Sequence, residues 1–272
     1  MTAAERTFLD DLGAPVRVPA GGPQRIVSLV PSLTEAIATT LPDRLVGATD
    51  WCIRPTDLRV TRVRGTKNPD RAAIAGLQPD LVVCNQEENR RLDVDRLRER
   101  GIPVWVTAIE SVEQAITSMR RLFAEGLGVG EPGWLVEAAR AWEVGSVPAG
   151  RRRPSGARPR VAIAIWRDPW MVVGPRTYPA DLFDRLGFDN AFGDAVDRYP
   201  HVEVAAIRAA ADLVVLPDEP YAFGPDDGPE AFRGGVDAVP TVCVDGRAIT
   251  WYGPAMVGAR AYLEDVLAPW RG

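Results

Sequence analysis

Short runs of aliphatic and β-branched residues alternate along this chain with segments whose apolar positions recur every three or four residues. Arg25–Val30 (RIVSLV) predicts a buried strand. Ser32 with Glu35 three residues later is a capping-box spacing, which predicts a helix over Leu33–Leu41. Further strands are expected at Leu45–Ala48, Asp80–Cys84 and Pro103–Thr107. Helices are expected at Asp70–Leu77 and Val94–Arg100, the second stopped by Gly101. Strand–helix alternation of this kind builds a parallel sheet flanked by helices.

The middle of the chain differs. Ser111–Leu127 is strongly helical in pattern, and Pro132–Val144 fits another helix with Pro132 in its first turn. Arg151–Arg160 (RRRPSGARPR) has no apolar periodicity and reads as a linker; no aromatic residues accompany it to suggest nucleic-acid binding. From there the alternation resumes, with strands at Val161–Ile165, Leu213–Leu216 and Thr241–Val244 and helices at Ala180–Leu186, Val204–Ala210 and Pro254–Leu267. The halves echo each other: IAGLQPDLVV (Ile74–Val83) resembles IRAAADLVV (Ile207–Val215). The expected class is α/β, with one lobe over residues 1–127, a connection over 128–157 and a second lobe over 158–272. Such pairs bind ligands in a cleft between lobes, at the carboxyl ends of the strands.

Composition removes several classes of function. With 46% hydrophobic and 25% charged residues the chain is neither disordered nor unusually polar. A net charge of −5 gives no global attraction to nucleic acid or anionic lipid. The opening 22 residues are polar and turn-rich, without the pattern of a signal peptide, so a cytoplasmic location is expected. Cys52, Cys84 and Cys243 are odd in number and widely spaced, as free thiols would be. His201 is the only histidine, which speaks against a histidine-based nucleophilic triad or a multi-histidine metal site. A metal, if present, would arrive inside a chelate, and no phosphate-binding loop follows the first strand.

Several motifs carry a family resemblance. RIVSLVPSLTE (Arg25–Glu35), LVGATDWC (Leu45–Cys52), GTKNP (Gly65–Pro69), LQPDLV (Leu77–Val82), WRDPWM (Trp166–Met171) and LGFDNAF (Leu186–Phe192) occur in this order. The chain thereby resembles the helical-backbone (class III) substrate-binding proteins of cobalamin and iron-chelate uptake, especially their cobalamin-binding branch, over roughly residues 10–270. The resemblance implies two Rossmann-like lobes joined by a long backbone helix, here Pro132–Val144, with a rigid hinge. It implies a ligand such as cobalamin or another bulky metal chelate, and no prosthetic group. Transporter-docking members carry a glutamate on each lobe; by register those positions are Ala72 and Ala205 here, with Asp70 and Glu203 close by. That departure puts docking to a transporter in doubt.

The residues expected to meet a ligand follow predicted strands. Trp51 is either a platform for a flat ligand or a loop anchor, and Cys52 beside it either a ligand contact or a buried thiol. Glu87, with Glu88 and Asn89, either lines a cleft or stabilises a helix start. Trp166, Arg167 and Trp170 follow the first strand of the second half. Arg167 suits a carboxylate or phosphate, unless it pairs with Asp168 or Glu219. Glu219, Tyr221 and Phe223, and Trp251 with Tyr252, complete the set, and Tyr178 and Tyr199 are weaker candidates. The leading expectation is a binding protein that is not exported. The rivals are an enzyme recruited from the same scaffold, using these carboxylates and Arg167, and the binding component of an ABC transporter.

Overall fold

The computed structural model describes residues 4–144 and 158–271. The chain forms two compact units. The first holds the chain up to Ile109 together with Glu113–Arg140 and Tyr252–Val257; the second holds Glu110–Val112, Ala141–Trp251 and the chain from Gly258.

The first unit opens with a hairpin, β1 (Glu5–Leu9) and β2 (Pro15–Pro19), paired antiparallel. Along β2, Val16 and Val18 are buried while Arg17 is exposed, the period of two that a strand dictates. Gly13 takes the turn at φ 76°, and Asp10 accepts from the amides of Leu12 and Ala14. The same buried carboxylate accepts from the Val106 amide and pairs with Arg98 at 2.7 Å.

Then come β3 (Ile26–Ser28), α1 (Pro31–Thr40), β4 (Leu45–Ala48), β5 (Thr61–Arg62), the short pair β6 (Arg64–Gly65) and β7 (Asn68–Pro69), α2 (Arg71–Gly76), β8 (Leu81–Asn85), α3 (Arg91–Glu99) and β9 (Val104–Thr107). Five of these strands make a parallel sheet in the order β5-β4-β3-β8-β9. Every residue of β8 is buried, as a strand covered on both faces requires. One face packs Val27, Val82 and Val104 against Ile74 of α2 and Val94 and Leu97 of α3. Two further helices, α4 (Val112–Arg121) and α5 (Gly133–Ala141), follow; α4 ends in a π-turn over Leu122–Gly126.

The second unit repeats the plan with β10 (Arg160–Trp166), β11 (Met171–Val172), α6 (Tyr178–Arg185), β12 (Asp189–Asn190), α7 (Val204–Ala210), β13 (Leu213–Pro217), β14 (Thr241–Val244), α8 (Gly246–Thr250) and α9 (Met256–Val266). Its sheet runs β11-β10-β13-β14, with β12 also on β10; only β11 is antiparallel. The sequence echo is a structural one. Ile74 of α2 and Ile207 of α7 are both fully buried, and β8 and β13 each pair with the first sheet strand of their unit. Asp80 accepts from the amides of Gln24 and Arg25 at 2.7 and 2.9 Å, and its counterpart Asp212 from Arg160 at 2.7 Å.

Two expectations need correction, and two elements went unforeseen. Ser32 and Glu35 form no capping box: Pro31 starts α1 one residue earlier, Val30 is the N-cap without a side-chain bond, and Ser32 lies buried in the first turn. The long connecting helix expected over Pro132–Val144 is a nine-residue segment, Gly133–Ala141, about 14 Å long. The hairpin Glu5–Pro19 and helix α8 were not anticipated. The linker expected from Arg151 lies, up to residue 157, outside the described residues.

Candidate ligand site

In the first unit the loop after β4 holds Trp51 outward and Cys52 inward. Cys52 is fully buried and offers no surface to a ligand. The Thr34 hydroxyl donates to Cys52 Sγ at 3.0 Å, and Thr49 Oγ1 lies 3.1 Å from it; burial pushes the thiol pKa up. Arg62 Nη1 donates to the carbonyls of Thr49 and Cys52 at 2.9 and 2.8 Å, so both sides of Trp51 are braced. Trp51 itself is 67% exposed, and Ile53 two residues on is 59% exposed. Trp51 is therefore no core anchor.

The loop after β8 is built by two asparagines. Asn85 Oδ1 accepts from the Glu87 amide at 2.8 Å, and its amide group donates to Thr107. Asn89 donates to the carbonyls of Leu29 and Thr66. Glu87 and Glu88 are half-buried, and Lys67 bonds to the Glu87 carbonyl. Desolvation pushes the Glu88 carboxyl pKa up; Lys67 opposes this and Glu87 adds to it. Glu87 lies in this loop before α3, whose N-cap residue is Arg90.

In the second unit one contiguous cluster gathers at the carboxyl ends of β10 and β13. Trp166, 44% exposed, stands edge-on to Tyr221, with centroids 5.5 Å apart. Tyr221 touches Phe223 at 4.6 Å, and Phe223 stacks on Trp170 at 5.6 Å. Trp170 and Phe223 are buried and anchor the loops; Trp166 and Tyr221 stay accessible. Arg167 lies over Trp170 at 5.4 Å. Its guanidinium pairs with Asp227 and, at 2.7 Å, with Glu230, while Asp168 lies at 3.5 Å. Asp168 was anticipated as a partner; Asp227 and Glu230 were not, and their only signal was the acidic run Asp226–Glu230 in a long loop. The Glu230 hydrogen bond, the largest influence, holds Arg167 more firmly protonated than usual.

A second group forms beside it. Glu219 is half-buried, and its pKa is pushed up to about 7. Burial is the main cause, the charges of Asp218 and Asp245 add to it, and a hydrogen bond with Trp251 and the charge of Arg247 oppose it. Arg247 lies over the buried Trp251 ring at 4.9 Å. Tyr252, also buried, belongs to the first unit. Tyr178 is a core residue; Tyr199 is half-buried and His201 exposed.

Two open cavities lie elsewhere. One of about 650 Å³ is lined by Arg25, Leu45 and Leu77, the other of about 560 Å³ by Ala205, Arg208 and Asp212. Both sit toward the amino ends of the strands, the end opposite the loops where α/β sheets bind ligands. Among the described residues no group of three or more His, Cys, Asp or Glu is placed to hold a metal ion. No helix among them is long and apolar enough to cross a membrane.

No family model matches the chain. Curated relatives do. A vitamin B12-binding protein of Vibrio parahaemolyticus is 23% identical over 191 residues, 68% of this chain and 66% of its own length. One of Yersinia pestis is 24% identical over 202 residues, 73% of this chain and 71% of its own. The match thus spans about two thirds of these relatives. Among solved structures, the periplasmic vitamin B12-binding protein of Vibrio cholerae superposes with a TM-score of 0.74 at 17% identity, over 91% of this chain and 98% of its own. A periplasmic heme-binding protein of Pseudomonas aeruginosa gives 0.72 at 20% identity, over 92% and 94%. The expectation of a cytoplasmic location is contradicted by these two solved structures, both of periplasmic proteins. In sequence and in fold alike, the chain is a relative of the class III, helical-backbone substrate-binding proteins.

Proposed function

We propose that this chain is a small-molecule-binding protein that holds cobalamin, or another bulky flat metal chelate, on the loops at the carboxyl ends of its strands. The observation that carries the reading is the accessible Trp166, which ends β10 and packs edge-on against Tyr221; taken by itself, the first unit likewise exposes Trp51 on a strand-end loop braced by Arg62. A large exposed ring on an ordered loop is unfavourable unless something covers it, and a planar ligand does so with little loss of side-chain entropy. The relatives named above bind vitamin B12 or heme. Delivery to an ABC transporter, which the family resemblance implies, meets an obstacle. Ala72 and Ala205 are exposed on α2 and α7 without a carboxylate, and Asp70 is engaged in capping α2. Titration with cobalamin and with haem, followed by calorimetry and visible absorption, tests the reading; absence of heat and of spectral change with both would overturn it.

One observation favours an enzyme built on the same scaffold. A half-buried carboxyl with a pKa near 7, as at Glu219, suits general acid–base work at neutral pH. Conversion of a bound ligand, lost in Glu219→Gln while binding persists, would support this second reading.

A further inference from the structure

We propose, resting on the reading that the strand-end loops of the second unit meet the ligand, that this protein selects metal chelates of positive or zero charge and rejects anionic ones. The loops after β10, β13 and β14 carry Asp168, Asp218, Glu219, Asp227, Glu230 and Asp245 against Arg167, Arg233 and Arg247, and three of these acids, Asp168, Asp227 and Glu230, meet the Arg167 guanidinium beside the aromatic cluster. Arg167 and Arg247 are both engaged, while Arg233 stands exposed. Arg167 has three carboxylates within 4 Å, and its side chain is only 20% exposed. Arg247 lies over the Trp251 ring. An incoming carboxylate or sulfonate would have to displace Glu230 or Asp227 from a charge-assisted bond and then sit among the carboxylates it displaced. A cation meets the opposite situation. It gains from Asp168, Asp227 and Glu230, three carboxylates against the single charge of Arg167, and from the negative ring faces of Trp166 and Tyr221, whose edge-on packing leaves ring surface open. Arg167, which the residue pattern alone marks as an anion clamp, is in this arrangement the brace that holds Asp227 and Glu230 in place, and Tyr221 adds a third tie by donating to Asp227 at 2.8 Å.

The test keeps one corrin and varies its net charge through the axial ligand, with the salt dependence separating charge from ligand size. Aquacobalamin is a monocation, cyanocobalamin is neutral and sulfitocobalamin is a monoanion. Titrated at neutral pH and low ionic strength, the three are expected to bind in that order, weakening roughly three- to fivefold per step. The differences should collapse at about 1 M salt, where the Debye length is about 3 Å. In the double variant D227N/E230Q, Arg167 is released and the order should flatten or invert. Equal affinities in the unmodified protein, or tightest binding of the anion, would overturn the charge rule while leaving the binding reading intact. Binding of none of the three, with haem bound instead, would overturn the charge rule as well, since haem carries two anionic propionates. No binding of any chelate would remove the binding reading and the rule together.

Discussion

Replacing Arg62 by alanine probes whether Trp51 is a prepared platform or an accidental exposure. Arg62 Nη1 ties the carbonyls of Thr49 and Cys52, which flank Trp51, with bonds of 2.9 and 2.8 Å. Hydrogen bonds to a charged donor contribute about 1.5–3 kcal/mol each; for this largely exposed guanidinium about half of that applies per bond, or roughly 1.5–3 kcal/mol for the pair. The loop is peripheral, so the loss should appear as local disorder and only slightly in the global melting temperature. If about 1.4 kcal/mol of loop ordering is transferred to the binding step, cobalamin affinity falls about tenfold. Arg62→Lys keeps the charge without the planar fork and should recover part of the loss. Calorimetric titration gives the affinity, and differential scanning calorimetry gives the melting temperature. Unchanged affinity in Arg62→Ala beside a clear fall in melting temperature would refute the platform and leave Arg62 as an ordinary brace.

Three other outcomes follow from the same geometry. Glu219 has a folded-state pKa of about 7 against an ordinary 4.5, so the native state holds its proton more tightly than the unfolded chain does. Stability should therefore fall as pH rises from about 4.5 through 7, and Glu219→Gln should gain about 1–2 kcal/mol above pH 7, discounted for partial exposure, with the gain fading toward pH 5; thermal melts across this range check it, and a pH-independent gain would contradict it. Asp10→Ala strips four partners from one buried carboxylate and leaves Arg98 with the Val104 carbonyl but no counter-ion, so about 3 kcal/mol of stability should be lost in denaturant titration. A methyl group on Gly246 would overlap Glu219 Cγ and approach the Glu219 backbone N and O to 2.9 Å, so Gly246→Ala should cost about 2–3 kcal/mol and disturb the Trp251 fluorescence.

The sheets were legible because their strands are apolar runs of the right length. Leu45–Ala48 and Thr241–Val244 are observed as expected, and others shift by one or two residues. The hairpin escaped notice because its signal, Val16 and Val18 either side of Arg17, is short and sits among proline and glycine. Candidate side chains were found by their position after strands, but their burial was not. Trp51 and Cys52 are adjacent and point opposite ways, which only the surrounding Thr34, Thr49 and Arg62 decide. Arg167 was singled out as a clamp for a ligand anion or a partner of Asp168 or Glu219; Asp168 does lie beside it, but Asp227 and Glu230 come from 60 and 63 positions away, beyond any local pattern.

The bracket that Asp80 and Asp212 place across the strand starts bears on how such a protein changes its ligand. Each aspartate fixes two neighbouring strands in register at their amino ends, far along the sheet from the loops that carry Trp51, Glu87 and Trp166. Alignment is thus secured at one margin of each sheet and recognition displayed at the other. Substitutions in the recognition loops leave the alignment untouched, so a lineage can exchange one chelate for another, or a cargo for a substrate, without having to rediscover its fold.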